Sequence, residues 1–173
     1  PGDILASRKG LTVEIGNTDA EGRLILADAI TRAAEGDGGS TPVLVLDFAT
    51  LTGAARVALG PDLPAMFAND EPLAAALLEA AAAVADPIWR LPLWQGYGEM
   101  LKSEIADTDN AGSGGMAGAI TAALFLEKFV PTGMPWAHLD IFAWNPAAKP
   151  GRPKGGAALG LRAAWEMVRR RFT

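Results

Sequence analysis

The sequence contains no cysteine and a single histidine, His138. Without cysteine, the chain can form neither a disulfide framework nor a metal site built on thiolates. With one histidine, any metal site must rest mainly on oxygen ligands, which suit manganese, magnesium or a carboxylate-rich zinc site. We interpret His138 itself as a hydrogen-bonded core residue, because it lies in an apolar segment.

Long apolar runs and an excess of positive charge are also missing. No apolar stretch reaches the ~18 residues of a membrane-spanning helix, and the start of the chain lacks the pattern of a signal peptide. We therefore expect a cytoplasmic protein with no membrane contact. A formal net charge of −5 argues against a nucleic-acid surface. The arginines at 169–171 are interpreted as a solvated helix end rather than a nucleic-acid contact.

Predicted strands and helices alternate along the 173 residues. The strand candidates are residues 11–15, 43–48, 57–59, 65–68 and 137–142. The helix candidates are residues 24–34, 71–86, 117–129 and 157–172, with a turn at 36–40 after the first helix. The continuous apolar run at 43–48 is typical of a buried parallel strand. The alternation predicts an α/β fold, with three αβα layers around a central mixed, mainly parallel sheet.

The most informative segment is NTDAEGRL at residues 17–24. If this segment is extended, Asp19, Glu21 and Arg23 all point to one side. Two carboxylates held that close repel each other unless a cation lies between them, and a divalent metal ion fits that place. Arg23 carries donors only, so it suits a bound anion rather than a metal. The alternative is a surface turn with a cluster of charges.

This segment resembles the signature of the leucyl aminopeptidase (cytosol aminopeptidase) family. Further segments resemble the same family in the same order: residues 1–3 (PGD), 12–15 (TVEI), 47–54 (DFATLTGA), 103–126 and 136–141 (WAHLDI). The resemblance implies a metal-dependent aminopeptidase that releases N-terminal amino acids from peptides by means of a water activated by two divalent metal ions, Mn or Zn. It also implies a homo-hexamer for the full-length protein.

The resemblance also implies roles for particular residues. Asp19 and Glu21 are expected to bind metal, and Arg23 to hold a bicarbonate that takes the proton from the attacking water. Substrate contacts are expected from Thr50, Leu51, Gly53, Phe142 and Asn145. Typical members of the family carry a small residue and a methionine at the last two positions, so preference for leucine is not implied. From the residues alone, the TLTG segment at 50–53 is either a ligand-binding strand end or a plain turn.

The family's remaining metal ligands, two lysines and two aspartates, lie upstream of the signature, and nothing matching them precedes Pro1. We therefore expect residues 1–173 to be the C-terminal portion of one catalytic domain, binding metal weakly and hydrolysing nothing by itself. The alternative is a non-catalytic scaffold of the same family, used for assembly or for DNA binding.

Three further features of the sequence are not assigned to the metal or substrate site. Residues 112–117 (GSGGMA) fit a dinucleotide fingerprint only weakly, because the segment before them is polar and acidic, so a loop is expected there. Lys9 matches no ligand of the family. Trp89 and Trp94 are expected to be packing anchors.

Overall fold

The computed structural model describes residues 1–36, 38 and 40–173. Asp37 and Gly39 lie outside the described residues, and so does that part of the turn predicted at 36–40. The chain divides into two compact units. Unit 1 comprises Pro1–Val45 and Leu93–Trp136, and unit 2 comprises Leu46–Pro92 and Ala137–Thr173. The prediction that the chain is one portion of a single domain stays a prediction.

The elements follow one another in an alternating order. The strands are β1 (Ile4–Ala6), β2 (Thr12–Glu14), β3 (Val45–Ala49), β4 (Ala65–Ala68), β5 (Trp89–Arg90), β6 (Thr108–Asp109), β7 (Trp136–Asp140), β8 (Trp144–Asn145) and β9 (Gly155–Gly156). The helices are α1 (Glu21–Glu35), α2 (Gly53–Leu59), α3 (Glu71–Ala83), α4 (Gly118–Glu127) and α5 (Leu161–Phe172), and Gln95–Leu101 is a 3-10 helix.

Unit 1 contains a small sheet in which β2 lies between β1 and β6. β2 is antiparallel to β1 and parallel to β6. Helix α1 buries Ala27, Ile30 and Ala34, which recur at helical spacing, and it contacts α4. This sheet positions the NTDAEGRL segment, because β2 leads into it and α1 leads out of it.

Unit 2 contains a sheet of order β3-β7-β4-β5. β4 is parallel to β5 and antiparallel to β7. The hydrogen bonds from Val45 N to Pro135 O and from Ile141 N to Ala49 O place β3 parallel to β7. Both inner strands, β4 and β7, are buried along their length. The expected α/β class with a mixed, mainly parallel sheet is thus confirmed.

A buried carboxylate anchors the last helix. Asp86 is 3% exposed and accepts hydrogen bonds from the backbone N–H groups of Gly160 (3.2 Å), Arg162 (2.9 Å) and Ala163 (3.2 Å). Arg162 and Ala163 lie in the first turn of α5, and Gly160 is its N-cap residue, which has no side chain that could cap the helix. Asp86 thus takes the place of an N-cap from a distant position in the chain.

Several local predictions were wrong. Residues 57–59 belong to helix α2, because Thr52 caps it by accepting a hydrogen bond from Ala55 N at 3.0 Å. The last helix begins at Leu161 rather than at residue 157, because Gly160 has a positive φ of 75°.

Trp89 and Trp94 are 58% and 62% exposed, so they are not packing anchors of this chain. In the part of the chain that the structure describes, no helix combines the length and apolar character needed to cross a membrane.

Gly160 is expected to be intolerant of a side chain. Its φ is in the left-handed region, and an added Cβ would lie 2.7 Å from Cδ2 of Leu139, a fully buried residue. Gly160→Ala should lower the free energy of unfolding by about 2–3 kcal/mol through backbone strain and overpacking. Urea unfolding measures this, with Gly156→Ala as the matched control, since an added Cβ there meets no atom within 4 Å. Equal losses in the two variants would contradict this account.

Glu166 should titrate at unusually low pH. The guanidinium groups of Arg169 and Arg170 donate hydrogen bonds to its carboxylate and lower its pKa to about 2. Because the folded pKa lies below the unfolded value of 4.5, the resulting stabilisation is complete above pH 4.5 and is lost as the pH falls towards 2. Carboxyl NMR titration measures the midpoint, which should rise in Arg169→Gln/Arg170→Gln. An unchanged midpoint would show that the arginines are not the cause.

Candidate metal and substrate site

The NTDAEGRL segment forms a tight loop between β2 and α1. Asn17 Oδ1 accepts a hydrogen bond from the backbone N–H of Asp19 at 2.9 Å, and the backbone N–H of Ala20 donates to Asn17 O at 3.3 Å. Helix α1 then begins at Glu21. This is the Asx type of turn, in which a side-chain oxygen replaces a backbone acceptor.

Asn110 holds this loop from the opposite side. The side chain is fully buried, and its Oδ1 accepts a hydrogen bond from Asn17 N at 3.1 Å. Its Nδ2 donates to Asn17 O at 2.8 Å and to Ala20 O at 3.4 Å. Its own backbone N–H donates to Glu14 O at 3.0 Å, which continues the β2–β6 pairing. One carboxamide therefore fixes the main chain on both sides of Asp19.

Arg23 supports the same arrangement. It is 8% exposed, and its Nη1 donates a hydrogen bond to Asn110 O at 2.7 Å. The guanidinium carbon lies 5.9 Å from the ring centroid of Phe125, within the range of a cation–π contact. The guanidinium therefore ties helix α1 to the segment that carries Asn110.

The expectation that the three charged side chains share one side of an extended segment is wrong. Asp19 lies in a turn, whereas Glu21 and Arg23 both lie in α1. Residues two apart in a helix point about 200° apart. Glu21 is accordingly exposed and Arg23 buried. The segment is helical from Glu21 rather than extended, because the Asx turn at Asn17 lets the helix begin three residues before the predicted start at residue 24.

The carboxylates of Asp19 and Glu21 are both exposed. Among the described residues, no donor forms a hydrogen bond or ion pair with either carboxylate. Ala20 occupies the N-cap position of α1, and no side chain caps this helix end. An aspartate beside a helix start commonly serves as its cap. Here Asp19 is not used in that way, so both carboxylates remain available to a ligand from outside the described chain.

These two carboxylates are the right type of ligand for a hard divalent metal, but two ligands are too few to hold one. Carboxylate oxygens are suitable ligands for manganese, magnesium or zinc. Within residues 1–36, 38 and 40–173, however, no group of three or more acidic, histidine or cysteine side chains could hold a metal ion. Two side chains alone leave most of the coordination sphere unfilled. The described residues thus offer a partial donor set.

Gly16 lets the NTDAEGRL loop lie close to Asp109 on the neighbouring segment. Asp109 Oδ1 accepts hydrogen bonds from the backbone N–H groups of Ala111 (2.5 Å) and Gly112 (3.2 Å). A Cβ added at Gly16 would lie 2.6 Å from Asp109 Oδ2. The loop after Asp109 includes the GSGGMA segment, where the expected loop is confirmed, with Ala117 in the left-handed region before α4.

Unit 2 contains a separate cavity of about 160 Å³. Its lining includes four of the five residues expected to contact substrate, namely Thr50, Leu51, Gly53 and Phe142. The fifth, Asn145, does not line this cavity and lies on β8. The cavity also includes Arg56, whose guanidinium carbon is 5.1 Å from the ring centroid of Phe142.

Asp140 shapes this cavity by holding the TLTG segment. It is buried, and its Oδ1 accepts hydrogen bonds from Leu51 N (3.0 Å) and Thr52 N (3.2 Å). Its Oδ2 accepts one from Thr52 Oγ1 at 2.6 Å. A carboxylate at the end of β7 thus fixes the main chain of this segment, and its role in binding a ligand stays a prediction.

The interpretation of His138 as a core residue is confirmed. It is fully buried on β7, and its Nδ1 lies 2.5 Å from Asp47 Oδ1. Its ring stacks on Phe67 with centroids 6.1 Å apart. Lys9, which matched no expected ligand, donates hydrogen bonds to Lys128 O (2.6 Å) and Val130 O (3.1 Å) at the end of α4.

Two supporting residues had no role assigned from the sequence. These are Asn110, which holds the loop around Asp19, and Asp140, which holds the TLTG segment. A sequence signal exists for Asp140, because an acidic residue that closes an otherwise apolar strand needs a buried partner. For Asn110 no comparable signal exists, since its partners lie far away in the sequence.

The fold and the loop together define an α/β protein with two carboxylates presented by a clamped loop. A family model described as the cytosol aminopeptidase family, catalytic domain, matches residues 1–164. The chain belongs to this family. Its resemblance to leucyl aminopeptidases, first seen in the NTDAEGRL segment, is thereby confirmed.

Individual relatives agree with this assignment. The chain is 49% identical over 171 residues to a probable cytosol aminopeptidase of Chlorobium luteolum, covering 98% of this chain and 33% of the relative. A probable cytosol aminopeptidase of Roseiflexus castenholzii is 50% identical over 172 residues, covering 98% and 34%. The chain thus spans about a third of the length of the curated relatives it matches.

Solved structures of relatives share the fold. A crystal structure of cytosol aminopeptidase from Coxiella burnetii superposes with a TM-score of 0.93 at 55% identity, covering all of this chain and 37% of that one. The bottromycin maturation enzyme BotP in complex with Mn gives a TM-score of 0.89 at 40% identity, covering 98% and 38%.

Asn110→Ala should loosen the signature loop. The substitution leaves the part-buried N–H of Asn17 and the carbonyls of Asn17 and Ala20 without their side-chain partner, at an expected cost of about 1–3 kcal/mol. Urea unfolding measures the loss, and the amide of Asn17 should exchange faster with solvent. Ser113→Ala, an exposed substitution in the same segment, is the control. If both variants unfold at the same urea concentration, the clamp is not a stabilising feature.

Proposed function

We propose that this chain is part of a metal-dependent aminopeptidase that releases N-terminal amino acids from peptides. The observation that carries the proposal is the clamped loop with its two exposed carboxylates, in a chain that belongs to the cytosol aminopeptidase family. Loops clamped in this way fix ligand positions before a metal arrives, which lowers the cost of binding.

Asp19 and Glu21 are the proposed metal ligands. A bound divalent ion of the Mn or Zn type supplies charge that polarises a peptide carbonyl and acidifies a water. Support for metal dependence comes from the availability of both carboxylates and from the relative that is described in complex with Mn. The full pair of ions needs ligands beyond those that the described residues provide.

Arg23 is the proposed anion-binding residue, with bicarbonate as the expected anion. Its guanidinium carries hydrogen-bond donors only and is held by Asn110 O and by the face of Phe125. A fixed cation beside the loop can hold a small oxyanion that accepts a proton. Arg23 therefore has two proposed roles: it supports the loop through its bond to Asn110 O, and its positive charge holds the anion.

The proposed substrate contacts are Thr50, Leu51, Gly53, Phe142 and Asn145. The first four share one cavity, and the backbone of the TLTG segment is held in place by Asp140. Fixed main-chain groups beyond the carboxyl end of a strand such as β3 suit recognition of a peptide backbone. For Asn145 the support is weaker, because it lies outside that cavity.

We propose that residues 1–173 are the C-terminal portion of the catalytic domain and that the whole protein is a cytoplasmic homo-hexamer acting on peptides. Relatives named cytosol aminopeptidases support the compartment and the substrate class. The 173-residue chain alone is expected to be inactive, because its donor set is partial.

Metal titration tests the proposed ligands. Isothermal titration calorimetry with Mn²⁺ should give weak binding to the 173-residue chain. Asp19→Asn/Glu21→Gln should weaken binding at least about tenfold, since each carboxylate supplies charge as well as an oxygen donor. Asp3→Asn/Glu104→Gln removes the same charge from exposed positions elsewhere in unit 1 and should leave the affinity unchanged.

Equal Mn²⁺ affinity in the two double variants would remove the assignment of Asp19 and Glu21. Hydrolysis of a leucyl anilide by the purified 173-residue chain with Mn²⁺ is measured in parallel. No turnover is expected, and turnover abolished by the Asp19/Glu21 variant would contradict the claim that the site is partial.

A further inference from the structure

The cavity of about 160 Å³ in unit 2 contains a charged residue to which the proposed function gives no role. Arg56 lies in helix α2 and lines this cavity together with Thr50, Leu51 and Gly53. The volume is below the ~300–1,000 Å³ of sites that enclose a whole small molecule. A cavity of this size suits one side chain of a longer ligand, such as a peptide.

Phe142 fixes the position of the Arg56 guanidinium. The guanidinium carbon lies 5.1 Å from the ring centroid of Phe142, within the range of a cation–π contact. Because Phe142 also lines the cavity, this contact places the positive charge at the cavity wall. Arg56 is exposed, so a ligand can reach it from the solvent.

The N–H groups of the Arg56 guanidinium are available to a ligand. In the part of the chain that the structure describes, no residue accepts a hydrogen bond from them, and no carboxylate forms an ion pair with this side chain. Two other arginines of unit 2 differ, since Arg90 donates to Glu71 at 2.6 Å and Arg169 donates to Glu166 at 2.9 Å. The planar fork of N–H donors on a guanidinium matches the two oxygens of a carboxylate.

The carboxylate in the lining of this cavity, that of Asp140, has other partners. It accepts hydrogen bonds from the backbone N–H groups of Leu51 and Thr52 and from Thr52 Oγ1. It therefore does not pair directly with Arg56. The lining also contains apolar side chains, those of Leu63, Ile141 and Phe142. A ligand group that matches this lining has a short apolar stem and a negatively charged end.

We propose that this cavity receives the acidic side chain of a peptide's first residue, aspartate or glutamate, and that Arg56 determines this specificity by pairing with the side-chain carboxylate. These side chains consist of one or two methylene groups that end in a carboxylate, which matches the apolar walls and the cation. That the first residue occupies the cavity rests on the proposed function, which assigns Thr50, Leu51, Gly53 and Phe142 to the substrate. The pairing of a carboxylate with Arg56 rests on the cavity itself.

An NMR titration of the metal-free 173-residue chain tests the pairing. The probes are the dipeptide amides Glu-Ala-amide and Gln-Ala-amide, which have nearly the same shape and differ by one charge. Glu-Ala-amide should bind at least about fivefold more tightly and should shift the Nε–H signal of Arg56. The net charge of −5 repels the more negative peptide, so its tighter binding would not come from general attraction. Equal affinity for the two peptides, or no binding of either, would overturn the proposal.

Variants at one position locate the discrimination. Arg56→Gln should remove the preference for Glu-Ala-amide, whereas Arg56→Lys keeps the charge and should retain part of it. Arg56→Glu should reverse the preference, so that Lys-Ala-amide binds more tightly than Glu-Ala-amide. Arg171→Gln, at an exposed arginine in the last turn of α5 that does not line the cavity, is the matched control and should change nothing. The same loss of preference in Arg56→Gln and Arg171→Gln would overturn the assignment of Arg56.

Cleavage by the full-length protein separates this inference from the proposed function. With Mn²⁺, kcat/KM should be higher for a glutamyl anilide than for a leucyl anilide, and Arg56→Gln should lower only the glutamyl value, at least about fivefold. Hydrolysis of the leucyl anilide without any preference for the glutamyl one, unchanged in Arg56→Gln, would overturn the specificity and leave the proposed function standing. Hydrolysis of neither anilide, together with Arg56-dependent binding of Glu-Ala-amide, would remove the proposed function and support the pairing.

Discussion

The structure depends on one recurring constraint: a buried polar side chain satisfies the main chain of a loop that has no regular partner. In unit 1, Asn110 bonds to the backbone on both sides of Asp19. Without it, the part-buried peptide groups of Asn17 and Ala20 would lose their side-chain partner, at a cost of up to about 1–3 kcal/mol for each unpaired group. Because Asn110 holds the loop in place, the carboxylates of Asp19 and Glu21 are not needed for that purpose, and they form no hydrogen bond or ion pair with the described residues.

Unit 2 applies the same constraint with carboxylates. Asp140 holds the TLTG segment, and Asp86 holds the first turn of α5. In both cases a charged group is buried at the N-terminal end of a helix or beside backbone N–H donors, which compensates for its desolvation. Asn145 departs from this pattern, because its oxygen has no donor among the described residues. The other three buried side chains that hold loop backbone, those of Asn110, Asp86 and Asp140, use all of their polar atoms in hydrogen bonds. The oxygen of Asn145 is therefore the exception among them.

Much of the fold could be predicted from the sequence, and the failures have physical causes. Apolar runs and helical periodicity located most helices, including α3, and the strands β2, β3, β4 and β7, whereas the two- and three-residue strands β1, β5, β6, β8 and β9 were not predicted. Residues 57–59 were mistaken for a strand because β-branched and apolar residues favour strands locally, whereas the cap at Thr52 and the end at Gly60 make a helix. For the site, the residue types in NTDAEGRL predicted a metal-binding loop and indicated the family, which is confirmed. Their spacing misled, because alternation has meaning only in an extended segment. Partners distant in sequence, such as Asn110 for Asn17, leave no local pattern.

The central claim is that the clamped loop presents Asp19 and Glu21 as metal ligands. Paramagnetic NMR tests this most directly, because bound Mn²⁺ broadens the signals of nearby nuclei. At low Mn²⁺ concentrations, the account predicts that the amide signals of residues 17–22 broaden first, and that the Asp19→Asn/Glu21→Gln variant removes this selective broadening. Broadening that begins at other acidic positions, or that is unchanged in the variant, would contradict the account.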